Sequence, residues 1–126
     1  MYFEDLTPYA YTQARLPSDA PSLVNFGWLD SDHDYPRGKV APEVVERMLR
    51  LAAERVNGMR GYHRCPFCEE REQVSMLLED KIVYLGSAEI HIKAGSTTYV
   101  APNLLPHYME AHEYMPPEQV LQALDQ

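Results

Sequence analysis

Two pairs of residues that commonly bind metal ions constrain this chain more than any other feature of its sequence. Cys65 and Cys68 are separated by two residues, and His107 and His112 follow after a further 38 residues, with four residues between them. Cysteines at this spacing can both reach one ion, and paired histidine ligands on a helix are usually about three to five residues apart. Thiolates and imidazoles together select zinc over magnesium or calcium. The sequence therefore predicts one zinc site with Cys65, Cys68, His107 and His112 as its ligands.

Other interpretations of these residues are open at this point. A Cys-x-x-Cys pair at the start of a helix in a βαβ unit is typical of a thiol redox motif. Two buried thiols and two unrelated histidines would need no metal. His63, two residues before Cys65, is an alternative ligand, although we favour a packed or solvent-facing position for it. If four protein side chains hold the zinc, no coordination position is left for an activated water, so the ion is expected to be structural.

The hydrophobic pattern predicts an α+β fold, with a small antiparallel sheet, flanking helices and a treble-clef-like or finger-like zinc centre. The predicted strands cover residues 22–29, 73–78, 81–85, 88–93 and 97–100, and the predicted helices cover 42–56, 103–114 and 117–124. The first helix has an apolar stripe at helical spacing, formed by Val45, Met48, Leu49, Ala52 and Val56. Residues 1–21 are expected to be largely irregular, with Tyr2, Phe3, Leu6, Tyr9 and Tyr11 packing across the core.

Length, charge and cysteine content limit the class of protein. The chain has 126 residues, which fits one domain over 1–126, and a net charge of −8, which opposes binding to nucleic acid. The sequence has no apolar run long enough to span a membrane, and the acidic start at Met1–Asp5 is not expected to be a secretory signal. Two cysteines at close spacing favour a reducing, cytoplasmic setting over a disulfide framework.

The sequence contains one weak calcium-loop pattern. Asp30, Asp32 and Asp34 resemble half of a calcium loop, but Tyr35 stands where that loop needs glycine and Ala41 where it needs glutamate. We therefore interpret this segment as a solvated acidic loop.

A strand histidine followed by an asparagine and helical histidines also resembles a ββα-metal nuclease of the HNH type, with His91 as the base and Asn103 as its orienting partner. No aspartate or second histidine immediately precedes His91, and the acidic charge opposes DNA binding. A metal-dependent hydrolase of this kind is the alternative function.

Several short motifs resemble those of a family of small uncharacterised bacterial proteins. They are YFEDLTPY at 2–9, VNFGWL at 24–29, LGSAEI at 85–90 and APNLL at 101–105, the last followed by His107, Tyr108, His112 and the Pro116-Pro117 pair. The resemblance covers most of the chain and implies a bacterial, cytoplasmic protein, but it implies no activity. The favoured function is a zinc-stabilised, non-enzymatic module that binds a protein partner or regulates one.

Overall fold

The computed structural model describes residues 2–8, 22–54, 58, 63–68 and 73–124. In these ranges the chain forms β1 (Ser22–Asn25), α1 (Pro42–Ala52), β2 (Ser75–Leu78), β3 (Lys81–Tyr84), β4 (Glu89–Ala94), β5 (Thr97–Pro102), α2 (Leu105–Ala111) and α3 (Glu118–Leu124). The α+β prediction is confirmed. None of the helices in these ranges has the length and apolar character needed to cross a membrane.

A three-stranded sheet with the order β1-β5-β4 forms the centre of the fold. β4 and β5 are an antiparallel hairpin that closes through the Ala94–Thr97 pair, as the alternation of the sequence predicts. β1 adds to β5 in parallel, with Ser22 opposite Thr97, a pairing that the sequence does not predict. β1 ends at Asn25, four residues earlier than predicted, because Gly27 has a φ of 73° and cannot continue an extended strand.

The second sheet is the β2–β3 hairpin, whose turn at Glu79-Asp80 was predicted. Its inner face includes Met76, Leu78 and Val83, which pack against the core. Because side chains alternate along a strand, the outer face consists of Ser75, Leu77, Ile82 and Tyr84. Leu77, Ile82 and Tyr84 are exposed there.

The helix α1 buries the predicted stripe and presents its charged face to solvent. Val45, Met48, Leu49 and Ala52 are buried. On the exposed side Arg50 contacts Glu46 at 2.8 Å, the i,i+4 pair that the sequence indicates. The helix ends at Ala52, before the predicted end at 56, and the side-chain amide of Asn103 donates to the Ala52 carbonyl at 3.5 Å. Val56 lies outside the described residues.

Helix α2 carries the two predicted histidine ligands, and α3 packs against the core. α2 is shorter than its predicted range of 103–114 at both ends. At its start the side chain of Asn103 binds the backbone of Gly86 at 2.6 Å, so this residue belongs to the preceding loop. Beyond its end, Glu113 has a φ of 55° and Tyr114 forms a β-bridge with Arg37. α3 buries Val120, Ala123 and Leu124.

The N-terminal residues 2–8 pack on β1 and the turn after it, with departures from the prediction. Tyr2 was expected to pack across the core, but it is half-buried and stacks on the ring of the exposed His33, with centroids 3.9 Å apart. Phe3 packs edge-on against Trp28, with ring centroids 5.6 Å apart. Leu6 is 43% exposed, so its predicted burial is wrong. Its φ of 65° belongs to the turn over Glu4–Thr7, and that turn directs the side chain to solvent. Tyr9 and Tyr11 lie outside the described residues.

Candidate metal centre

The structure brings all four predicted ligand side chains to one point. The Cys65 sulfur lies 3.3 Å from Nε2 of His112, and the Cys68 sulfur lies 3.3 Å from Nε2 of His107 and 3.4 Å from Nε2 of His112. All four ligand atoms lie within 4.8 Å of one another. The two ligand pairs are far apart in sequence, so only the folded chain unites them.

These distances fit the geometry of a tetrahedral ion. With Zn–S near 2.3 Å and Zn–N near 2.0–2.1 Å, sulfur and nitrogen ligands of one tetrahedral zinc lie about 3.6 Å apart, and two sulfurs lie about 3.8 Å apart. The observed sulfur–nitrogen separations of 3.3–3.4 Å are close to that value. Both imidazoles present Nε2 to the common point. The donor set of two sulfurs and two nitrogens therefore fits a zinc ion in composition and spacing.

A tight turn at 65–68 holds the cysteines. The amide of Cys68 donates to the carbonyl of Cys65 at 3.4 Å, and the amides of Phe67 and Cys68 also donate towards the Cys65 sulfur. Amides directed at a sulfur stabilise its thiolate form, as in the zinc knuckle that the spacing predicts. Just before the turn, the amide of His63 donates to the Gly86 carbonyl at 2.8 Å, which attaches this segment to the loop between β3 and β4.

The helix α2 supplies the histidines from its two ends. His107 is in the first turn, where its amide donates to the Leu104 carbonyl at 3.0 Å. His112 is the C-terminal cap, and its amide donates to the Tyr108 carbonyl at 3.1 Å. The His112 carbonyl has no partner within α2, and it accepts a hydrogen bond from the Tyr35 hydroxyl at 2.9 Å. The loop before α1 therefore fixes the position of one ligand.

Aromatic rings cover one side of the four-residue cluster. Phe67, between the two cysteines, lies 5.1 Å from the His112 ring and 6.0 Å from the Tyr108 ring, measured between centroids. Tyr35 lies 5.3 Å from Phe67, and the Arg37 guanidinium lies 4.5 Å above the Tyr35 ring. These rings limit access of water to the site on that side.

Burial shifts the pKa values of His107, His112 and Cys65. It lowers the pKa of His107, with a further decrease from His112, and it lowers the pKa of His112, with a further decrease from Arg37. Both imidazoles are therefore neutral at neutral pH, as metal ligands must be. Burial, together with a smaller effect of the nearby Cys68, raises the pKa of the Cys65 thiol to about 11. A metal ion must therefore displace the proton of Cys65 when it binds.

The structure also bears on the alternative ligand His63 and on the redox interpretation of the cysteine pair. His63 is exposed and does not belong to the cluster. The turn at 65–68 is not the start of a helix within its described part, and the next described element is β2, so the redox interpretation lacks its expected context.

The two residues of the nuclease alternative are engaged elsewhere. His91 is half-buried, and its Nε2 lies 3.0 Å from Glu89 on the same strand. Asn103 is fully buried, and it bonds the backbone of Gly86 and Ala52. Asn103 is therefore a structural link between two backbone segments, and neither residue has the role in the structure that the nuclease alternative requires.

Sequence reasoning missed the residues that support the ligands. Tyr35 and Tyr108 are separated from their partners along the chain, and ligand spacing carries no information about them. The loop glycine Gly86 has a φ of 94°, and a Cβ atom there would lie 2.4 Å from the His63 carbonyl oxygen. An isolated glycine in the LGSAEI motif was the available signal for this close approach.

Comparison with known proteins identifies the family of this chain. The family described as "Domain of unknown function (DUF7919)" matches residues 1–125. The chain belongs to this family. The match includes every described element and all four residues of the cluster. No curated protein and no solved structure matches the chain. Membership agrees with the uncharacterised family that the motifs indicate, and it brings no activity with it.

Proposed function

We propose that this protein is a zinc-stabilised, non-enzymatic module that binds a protein partner. The observation that carries the proposal is the convergence of Cys65, Cys68, His107 and His112 within 4.8 Å of one another. Four protein ligands complete a tetrahedral zinc ion and leave no position for substrate or an activated water. The zinc is therefore a crosslink between the turn at 65–68 and helix α2, and the biological activity resides on the surface that this crosslink shapes.

Zinc is favoured by the chemistry of the donors. Two thiols and two imidazoles are softer ligands than the oxygen donors that magnesium and calcium require. Zinc also has no geometric preference of its own, so it accepts the tetrahedral arrangement that the spacing of these residues supports. Free cysteines next to histidines need a reducing environment, which supports a cytoplasmic location. A bacterial origin is supported by the motif resemblance alone.

The nuclease alternative is not favoured. In that alternative His91 would act as the general base and Asn103 would orient it. The Asn103 side chain is instead fully buried and bound to backbone groups. The net charge of −8 also repels the phosphate backbone of a nucleic acid. We therefore expect no metal-dependent cleavage of duplex DNA, and no binding to it at moderate salt, in a fluorescence anisotropy titration.

Metal analysis and cobalt substitution test the proposal. Protein purified without chelators should contain about one zinc per chain. Cobalt(II) in the same site should give the intense visible absorption of a tetrahedral ion with thiolate ligands. Azide added to the cobalt protein should leave this spectrum unchanged, since a closed site has no position for it.

Two results would contradict the proposal. One is folded protein with reduced cysteines and no bound zinc. The other is a cobalt spectrum that shifts when azide is added, because the ion would then have an open position and a catalytic role would be the better interpretation. His91→Ala is the matched control, since it removes a half-buried histidine outside the cluster, and it should keep the full zinc content.

A further inference from the structure

An open groove lies between the start of α1, strand β2 and the end of α2. Its volume is about 770 Å³. The apolar part of its lining comes from all three elements and from the loop before α1, and it includes Val40, Val45, Leu49, Met76, Leu78 and Met109. Met76 is half-buried, and because methionine side chains are flexible and polarisable it can adapt to varied apolar groups. The groove is separate from the four-residue cluster, whose side chains do not line it.

The rim of the groove is predominantly acidic. The charged lining residues are Lys39, Glu46, Glu79, Glu110 and Glu113. Arg50 contacts Glu46 at 2.8 Å and Glu79 at 2.7 Å, so it offsets part of the charge of these two carboxylates. Glu110 and Glu113 take part in no ion pair within the described parts of the chain, and both are exposed. Lys39 is the one basic side chain among the described lining residues, so the end of the groove near α2 has a net negative charge.

Exposed apolar side chains also lie beside the groove, on the outer face of the β2–β3 hairpin. Leu77 lines the edge of the groove and is 71% exposed, which is high for a leucine of a small folded domain. Ile82 lies directly opposite Leu77 and is 58% exposed. A partner that fills the groove and also covers Leu77 removes this apolar surface from water.

We propose that the groove binds a basic amphipathic helix of a partner protein. Such a helix presents apolar side chains at i, i+3, i+4 and i+7, which match an apolar floor, and lysine or arginine on its flanks, which match Glu110 and Glu113. A second copy of this chain is a poorer occupant, because a net charge of −8 on each copy opposes contact at an acidic rim. The inference rests on the proposed function, and it specifies the partner of that module.

A designed peptide tests the groove without knowledge of the natural partner. The probe is a labelled helical peptide of about 14 residues, made of leucine at helical spacing and lysine elsewhere. It is titrated into the full zinc-loaded chain, and anisotropy is recorded at low and moderate salt. We expect micromolar binding that weakens as salt rises, and binding at least about tenfold weaker for a scrambled peptide and for one with glutamate in place of lysine.

Paired variants of exposed residues locate the binding surface. Glu110→Lys should weaken binding of the lysine peptide by about tenfold or more, whereas Asp34→Lys makes the same charge change outside the groove and should alter it by about twofold at most. Leu77→Asp should also weaken binding by about tenfold, whereas Tyr84→Asp changes the same hairpin face outside the groove and should have little effect. Circular dichroism and zinc content verify that each variant is folded.

The possible results separate this inference from the proposed function. Equal losses of peptide affinity in Glu110→Lys and Asp34→Lys would mean non-specific attraction. Equal binding of the designed and scrambled peptides would mean the same, and either result would contradict a binding site in the groove. Absence of peptide binding by protein with one zinc per chain would overturn the groove and leave the zinc module intact. Dimerisation in sedimentation experiments that Leu77→Asp abolishes would also overturn it, because a second copy would then occupy the surface.

Discussion

The Tyr114 hydroxyl donates a hydrogen bond to the Asp5 carboxylate, with 2.9 Å between the two oxygens. The other carboxylate oxygen of Asp5 accepts from the Gly27 amide at 3.0 Å, so this side chain joins the N-terminal segment to two separate parts of the fold. Burial raises the pKa of Tyr114 and keeps its hydroxyl protonated as a donor. Because Tyr114 follows His112 closely, the contact also holds the end of α2, where one candidate ligand lies.

Removal of this hydroxyl should destabilise the protein. Tyr114→Phe leaves the packing of a fully buried ring nearly unchanged but removes a hydrogen bond to a charged group, which is worth about 1.5–3 kcal/mol. Urea denaturation would measure the change in the free energy of unfolding. Tyr84→Phe, in an exposed ring, is the control and should change this free energy by less than about 0.5 kcal/mol. Equal effects of the two substitutions would mean that the Asp5 contact does not stabilise the fold.

Substitution of a ligand should loosen one part of the protein more than another. The two ligand pairs lie on either side of the segment that contains β2 to β5, so a bound ion closes a long loop. Structural zinc in small peptides contributes an apparent free energy of about 10–16 kcal/mol, and even a fraction of this is large for one domain. Cys65→Ser or His112→Ala should therefore lower Tm by about 10 °C or more.

Hydrogen exchange would localise the effect of these ligand substitutions. Residues 63–68 and α2 should lose protection in Cys65→Ser, while α1 should lose less because it buries its own apolar stripe. Chelation of zinc from the wild type should give the same pattern. Unchanged melting and unchanged protection in Cys65→Ser would mean that the metal site is not structural.

The zinc affinity should increase with pH. Burial raises the pKa of Cys65 to about 11 in the metal-free protein, so at neutral pH this thiol is protonated and zinc must displace its proton. Each proton released makes the affinity about tenfold higher per pH unit below that pKa. The pKa values of His107 and His112 are lowered, so these residues add to the proton release only when the pH falls below those lowered values. Chelator competition at several pH values measures the slope, and a pH-independent affinity would contradict thiolate ligation.

Gly86 should be intolerant of a larger residue. Gly86 and Gly95 both have positive φ values, 94° and 62°, so alanine at either position has a backbone cost. Only at Gly86 would the new Cβ approach a backbone atom, at 2.4 Å from the His63 oxygen, while nothing lies within 4 Å at Gly95. Gly86→Ala should therefore lower the stability by about 2 kcal/mol more than Gly95→Ala, and it should also weaken zinc binding. Denaturation and chelator competition measure both effects, and equal stabilities of the two variants would exclude this steric contribution.

The local features of the fold were predictable from the sequence because neighbouring residues encode them. The stripe of α1, the alternation in β4 and the turn at Glu79-Asp80 are properties of short segments, and the structure contains each of them. The spacing within each ligand pair is also local. It was enough to select the four side chains that the folded chain brings together, although their occupation by zinc stays a prediction.

Tertiary structure decided the features that depend on distant partners. β1 pairs in parallel with β5, which lies far from it in the sequence. No periodicity within β1 specifies that neighbour. Helix α2 begins after Asn103 because the Asn103 side chain bonds the Gly86 amide. Leu6 is exposed because the amide of Leu6 donates to the Asn25 carbonyl, which fixes its turn on β1. The groove, likewise, has walls from three separate elements. Hydrophobic period and ligand spacing act over a few residues, whereas these features depend on hydrogen bonds and contacts that form only when the whole chain has packed.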